Sequence, residues 1–283
     1  MEIRNDLTKI TFAIPTNGRP HSLKKCIQSI LSNTGDLCQI IVLDSTASDA
    51  DVEVLKGYEA IFNEFPEIQT LKYDYNIPPG KARKILSQEI ATEYVFFLDD
   101  DLVVQQGSIE KMYRALIDGD FDIMSGLWVE DKATRPIGFL FTEARHEEKN
   151  MILKCSVEAP LSDSVIRLDD VQASLLVKTA IFSKVNFDER YDFFFELYDF
   201  FYQCMLNKIK VGAHTGAVFY HQPVPYLSKS SRHYQNKDID RDRFIEKWGV
   251  IPEFVRSEKL TTINVSQKER SGLISRIRDK FLS

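Results

Sequence analysis

The sequence has no apolar run near the roughly 18 residues that a membrane-spanning helix needs, and its opening stretch, MEIRNDLTKITFAIP, lacks the apolar segment of a secretory signal. A cytoplasmic location is the expectation, with peripheral membrane contact left open. Positive charge is not in excess either: 42 acidic against 36 basic residues give a formal net charge of -6. No global field draws in a polynucleotide, so nucleic acid is not an expected partner. Cysteine is scarce. Cys26, Cys38, Cys155 and Cys204 are scattered, without the close pairs of a zinc site, and read as reduced, buried thiols. Internal repeats and low-complexity tracts are missing as well. What remains is a 283-residue chain, 43% hydrophobic and 28% charged, the composition of an ordinary globular protein and a length for one large α/β domain or two small ones; one domain with a tail is the expectation.

Along the first hundred residues, strand-like and helix-like segments alternate. KITFAIP (9–15) stops at a Pro-Thr-Asn-Gly-Arg-Pro turn, after which Pro20 opens a helix with Leu23, Ile27, Ile30 and Leu31 on one face. QIIVLD (39–44) predicts a second strand, 52–65 a helix, IQTLKYDY (68–75) a third strand, PPGKARKILSQEIA a helix, and EYVFFLDDD (93–101) a fourth strand that ends in acid. Such alternation predicts a mainly parallel sheet with right-handed crossovers, which binds ligands beyond the carboxyl ends of its strands. The loops at 15–20, 44–51, 76–83 and 99–104 are therefore the candidate site. A helix near 107–117 and a strand at 122–129 precede a change of pattern. PIGFLF, MILKCS and VIRL, separated by polar turns, read as antiparallel; a helix over 196–207 and a strand over 211–221 follow. FIEKWG (244–249) reads as a helix end with glycine as its stop. SGLISRIRDKFL (271–282) is a basic amphipathic segment that either packs on the domain or touches a membrane surface.

Asp99, Asp100 and Asp101 at the end of an apolar strand would repel one another unless exposed or neutralised. A divalent ion neutralises them, and hard carboxylate oxygens suit Mg²⁺ or Mn²⁺ completed by phosphate. The competing explanation is a helix N-terminus decorated with acids.

In order and at similar separations, TFAIPTNGRP, IIVLDS, NIPPGKARK and FFLDDD resemble the family 2 glycosyltransferases and their relatives of the GT-A fold. The resemblance covers roughly residues 8–221. It implies a nucleotide-binding half over 8–104 and an acceptor-side half over 105–225, followed by a loop and helical extension over 226–283. It also implies transfer of a sugar from a nucleotide-diphosphate donor, UDP-linked, to a hydroxyl of a glycan or lipid-linked acceptor, with inversion. By position, Pro15, Thr16 and Arg19 fall near the nucleotide and Asp44 beside the base. Gly80, Ala82 and Arg83 represent the Gly-x-x-x-Ala-Arg-Asn element, shortened by two residues and with Lys84 for Asn; Lys81 and Arg83 add positive charge. Asp99 then contacts the sugar or ribose with Asp100 next to it, and Asp101 coordinates the metal.

FDERYDFFFELYDFFYQC (187–204) resembles the family's acidic acceptor-side element, but Leu197 takes the place of the second acid of its Glu-Asp pair. Glu196 and Asp199, three apart on one helix face, are the candidate bases, with Asp199 placed ahead. The family often has a late His as metal or diphosphate contact, which points to His221, with His214 as its rival. Tyr226, Arg232 and Tyr234 lie in a loop that could fold over the donor. Trp128 reads equally as an acceptor platform or a core residue. Two other functions fit the pattern: a sugar-phosphate nucleotidyltransferase, for which TNGRP is a poor phosphate loop, and a non-catalytic glycan-binding protein, favoured by Leu197.

Overall fold

In the opening apolar run, every residue of Ile10–Thr16 except Pro15 is buried, as expected of a strand covered on both faces. This strand, β1, lies inside a parallel set: it pairs with β2 (Gln39–Asp44) on one side and β4 (Tyr94–Phe97) on the other, and β3 (Gln69–Lys72) follows β2. The structure, a computed structural model, describes residues 6–130, 133–146, 149–160, 162–192, 194–222 and 237–255. Helices α1 (Pro20–Thr34), α2 (Val52–Glu64) and α3 (Pro79–Gln88) connect the four parallel strands. Proline starts α1 and α3, where its fixed φ suits the first turn and its missing N–H removes no bond. At the head of α2, the Asp51 carboxylate accepts the Glu53 N–H at 2.8 Å.

The chain continues through β5 (Leu102–Val104), α4 (Ser108–Asp118), β6 (Ile123–Glu130), β7 (Ala133–Thr134), β8 (Gly138–His146), β9 (Lys149–Val157), β10 (Val165–Leu168), β11 (Asp170–Val171) and β12 (Leu175–Lys178). It ends its described course in α5 (Phe195–Leu206), β13 (Val211–His221), α6 (Lys237–Trp248) and β14 (Ile251–Val255). The large sheet runs β10-β13-β6-β12-β4-β1-β2-β3, with β5 on β13 and β7 on β6, and a second sheet runs β11-β8-β9-β14. Alternate residues of β1, β2 and β4 feed opposite faces. Phe12, Ile14, Val42 and Phe96 meet α1, α2 and α4, while Ala13, Ile41, Leu43 and Phe97 share a core with α3, α5 and the second sheet.

Three expectations need correction. The strand expected over 93–101 stops at Phe97: after Leu98 N–H bonds Ala13 O, the aspartates form a turn in which Leu102 N–H reaches Asp99 O at 3.2 Å. The third strand shortens to Gln69–Lys72, because beyond Tyr73 the Asp74 carboxylate turns aside to accept Ser48 N–H. LLVK (175–178), not among the expected strands, lies antiparallel between β4 and β6. The large sheet is therefore mixed: antiparallel β12 separates the parallel set β4-β1-β2-β3 from a second parallel pair, β6 and β13. In the extension expected over 226–283, the described residues form α6 and β14, with β14 paired in parallel with β9 and Phe244 of α6 buried in the core.

Candidate active site

The carboxyl ends of β1, β2 and β4 form one rim. On it, Thr16 and Asp44 are register partners, and Asp44 is buried with both oxygens taken: Thr46 N–H donates to Oδ1 at 2.9 Å and Lys72 Nζ to Oδ2 at 2.5 Å. Lys72 is itself the register partner of Asp44 on β3, so adjacent strands deliver an acid and a base to one point. Pro15 closes β1. Beyond it Gly18 adopts φ +67, a conformation that glycine alone takes at little cost, and donates its N–H to Thr46 Oγ1 at 2.8 Å. The Thr16 hydroxyl contacts Tyr58 Oη at 2.8 Å and Asp100 Oδ2 at 2.6 Å.

The three aspartates have three environments. Asp99 is half-buried and accepts Arg83 Nη2 at 2.7 Å. Asp100 is fully buried; Arg19 Nη2 stands 2.5 Å from its Oδ1, and burial pushes its pKa up to about 7 although Arg19 pulls the other way. Asp101 Oδ2 accepts Arg19 Nη1 at 2.8 Å and lies 3.5 Å from His221 Nε2. Burial opposes the Asp101 carboxylate, but His221 and Arg19 outweigh it and hold its pKa below the ordinary value. The Asp101 Oδ1 atom is buried and has no hydrogen-bond partner among the described residues.

His221 reaches Asp101 because the end of β13 runs antiparallel to β5, with His221 opposite Leu102 and Gln222 N–H donating to Asp101 O at 2.9 Å. Its Nδ1 meets the Glu130 carboxylate, which also holds Arg135. Burial works against its charged form, yet the Asp101 and Glu130 carboxylates prevail and raise its pKa. Glu130 thus orients the ring and directs Nε2 at Asp101. Trp128 lies 4.8 Å behind the His221 ring, buried and donating to Ser174 Oγ at 3.0 Å. Of its two readings, the structure gives the core one.

On the opposite side of Asp99, Arg83 is 3% exposed and reaches Glu196 Oε1 at 3.4 Å. Glu196 is equally buried, its Oε2 unpartnered among the described residues, and burial pushes its pKa up to about 7, against the pull of Arg83. Gly80 is where α3 meets α5: a Cβ there would stand 2.6 Å from Glu196 Cβ. Its observed role is close packing, and Lys81 beside it is half-buried. Asp199 takes no part in this cluster of contacts. It is fully buried, its Oδ1 accepting Trp248 Nε1 at 2.7 Å and its Oδ2 accepting Gln203 Nε2 at 2.7 Å, and Lys247 Nζ lies 2.8 Å from Oδ1 and 2.9 Å from Oδ2. His214 contacts Asp163 and the Gly216 N–H, not the aspartate triplet. Tyr226, Arg232, Tyr234 and the basic segment 271–282 lie outside the described residues. The sequence reading missed Lys72 and Glu130. Strand register from Asp44 points to the first; the second is joined to His221 across 91 positions and leaves no local signal.

Comparison with known proteins follows this geometry closely at the level of fold. Residues 11–154, the stretch from β1 into β9, match the family described as Glycosyl transferase family 2. The chain belongs to that family. Among curated relatives, this family 2 chain is 23% identical over 184 residues to the poly(ribitol-phosphate) beta-N-acetylglucosaminyltransferase TarP of Staphylococcus aureus, covering 62% of this chain and 55% of TarP. It is 26% identical over 118 residues to glycosyltransferase GlyA of Streptococcus pneumoniae, covering 42% of this chain and 16% of GlyA. The chain therefore spans about half or less of most such relatives. Solved structures that share the fold include Staphylococcus aureus TarS 1-349 in complex with UDP-GlcNAc (TM-score 0.57, 13% identity, 83% of this chain and 66% of that one). A second is GalNAc-T7 with UDP, GalNAc and Mn²⁺ (TM-score 0.63, 13% identity, 84% and 48%). The fold is GT-A, as the family 2 motifs imply. Among the described residues no helix is long and apolar enough to cross a membrane.

Among the described residues no group of three or more acids, histidines or cysteines is placed to hold a metal ion. Asp101 and His221 nevertheless make a fitting pair of ligands: a buried carboxylate oxygen without a partner and an imidazole nitrogen set by a second carboxylate. Mg²⁺ and Mn²⁺ commonly take only one or two protein ligands and complete their shell with phosphate and water.

Proposed function

We propose that the chain transfers a sugar from a nucleoside-diphosphate donor, UDP-linked, to a hydroxyl of a glycan or lipid-linked acceptor, with inversion and with Mn²⁺ or Mg²⁺ bound by Asp101 and His221. The observation that carries this reading is the single rim on which Asp44, the aspartate turn and the Arg83–Glu196 pair converge. TarS was solved with UDP-GlcNAc and GalNAc-T7 with UDP and Mn²⁺, which supports a uridine donor and a divalent ion here.

In this mechanism Asp44 and Lys72 hold the base or ribose, with Pro15, Thr16 and the Gly18 turn forming the wall beside them. Arg19 and Lys81 face the diphosphate, and Asp99 and Arg83 orient the donor sugar. When bound, the ion supplies Lewis-acid stabilisation of the departing diphosphate. Glu196 replaces Asp199 as the first candidate base, because Asp199 has its oxygens committed to Gln203 and α6 while Glu196 keeps one buried oxygen unpartnered and a pKa near neutrality. A base of that pKa takes the acceptor proton effectively at physiological pH.

Glu196→Gln tests this assignment: it keeps the shape and removes the proton acceptor. Transfer turnover falls by about 10²–10⁴-fold, while UDP affinity measured by calorimetry barely changes. Leu197, in place of the second family acid, favours a second reading, a glycan-binding protein without catalysis. Wild-type protein that binds UDP-sugars yet neither transfers nor hydrolyses them supports that reading instead.

A further inference from the structure

We propose that Arg19 is a built-in counter-cation that the divalent ion must displace, so that metal and diphosphate enter this site as a pair. The inference rests on the proposed donor site and concerns how that site is loaded.

Asp100 and Asp101 are adjacent, and their side chains are 0% and 9% exposed. Two buried carboxylates in sequence repel unless a positive charge lies between them. The Arg19 guanidinium spans both, with Nη2 at 2.5 Å from Asp100 Oδ1 and Nη1 at 2.8 Å from Asp101 Oδ2. That same Asp101 oxygen is the one 3.5 Å from His221 Nε2. An ion shared by Asp101 and His221 therefore meets a guanidinium already bound to the carboxylate it needs. The partnerless Asp101 Oδ1 gives the ion a second oxygen, but on the same carboxylate, where two cations still repel at short range.

The Arg19 side chain is built to let go. Its backbone is fixed, with the N–H on Tyr58 Oη at 2.9 Å and Pro20 opening α1 immediately after it, while its side chain is 28% exposed. Metal alone exchanges one cation for another and leaves Arg19 without its anions. Metal with a diphosphate gives the planar guanidinium new anionic oxygens for both of its N–H pairs. The two ligands thus assist each other, and by linkage each raises the affinity of the other equally.

Mn²⁺ titrations of the full chain, read from the electron paramagnetic resonance signal of free Mn²⁺ in the absence of nucleotide, test the proposal. In Arg19→Gln and Arg19→Met, Mn²⁺ binds about tenfold or more tightly than in wild type, because a competing state that holds most of the population weakens apparent affinity by that fraction. The enhancement of Mn²⁺ binding by UDP shrinks in both variants. Arg19→Lys, which keeps the charge but not the two-pronged contact, falls between. Asp101→Asn binds Mn²⁺ weakly whatever stands at position 19. Folded Arg19→Gln or Arg19→Met protein with wild-type or weaker Mn²⁺ affinity overturns the proposal. Should both neutral variants fail to fold, Arg19→Lys decides alone, and wild-type affinity there overturns it. Failure of UDP to bind wild type with Mn²⁺ counts against the donor reading, whereas the nucleotide-free comparison still judges Arg19.

Discussion

Glu196 keeps its proton to near neutrality because burial disfavours its charge, with Arg83 pulling the other way and Asp99 and Asp240 adding repulsion. This has a consequence for stability whose sign is fixed. Between its ordinary value of 4.5 and about 7, the folded chain holds a proton that the unfolded chain has released. Stability contributed by this group therefore declines as pH rises through that window. Glu196→Gln cannot titrate and escapes the decline. Relative to wild type, the variant gains on the order of 1–3 kcal/mol in urea unfolding between pH 5 and pH 8. A difference between the two proteins that is flat with pH would show that Glu196 has an ordinary pKa. If Glu196 is also the base, transfer in wild type rises with pH through about 7, as the carboxylate forms.

Among the elements, α5 carries two acids with opposite duties. Glu196 faces α3, where Gly80 leaves room for it; Asp199 faces α6 through Lys247 and Trp248. Replacing Lys247 by Met leaves Asp199 buried without its cation and should destabilise the chain by about 3 kcal/mol, the usual cost of breaking a buried pair. The loss is read from thermal or denaturant unfolding, and UDP affinity of the folded fraction stays at the wild-type value. Gly80→Ala acts on the other side of the helix: the new methyl meets Glu196 Cβ, which no rotation of the side chain can move away, so α5 shifts with Glu196 and turnover falls. If transfer by Gly80→Ala protein is as fast as wild type, the α3–α5 contact does not set the position of Glu196. These duties were only half legible in the sequence. Spacing placed both acids on one helix, but their partners lie 113 positions away at Arg83 and 48 away at Lys247, distances at which periodicity says nothing. Strands β1 and β2 were legible because their apolar blocks end in marked turns. LLVK was not, since three apolar residues and a lysine without flanking turn signals fit a strand, a helix or a loop equally well.

For the molecule as a whole, the N-terminal parallel half follows from alternating apolar strands and amphipathic helices, and it places Asp44 and the aspartate turn on one edge. The C-terminal half adds what local pattern does not encode. Strand β13 brings His221 back to Asp101, and β6 brings Glu130 to His221. The central claim is that this edge holds a nucleoside diphosphate through a divalent ion. Calorimetric titration of UDP into the full chain, once with Mn²⁺ and once with EDTA, tests it most directly. UDP should bind with Mn²⁺ and bind about tenfold or more weakly in EDTA, a coupling of the size usual between linked ligands, with no such difference in Asp101→Asn. Equal UDP affinity in the two buffers, or no binding in either, would contradict it.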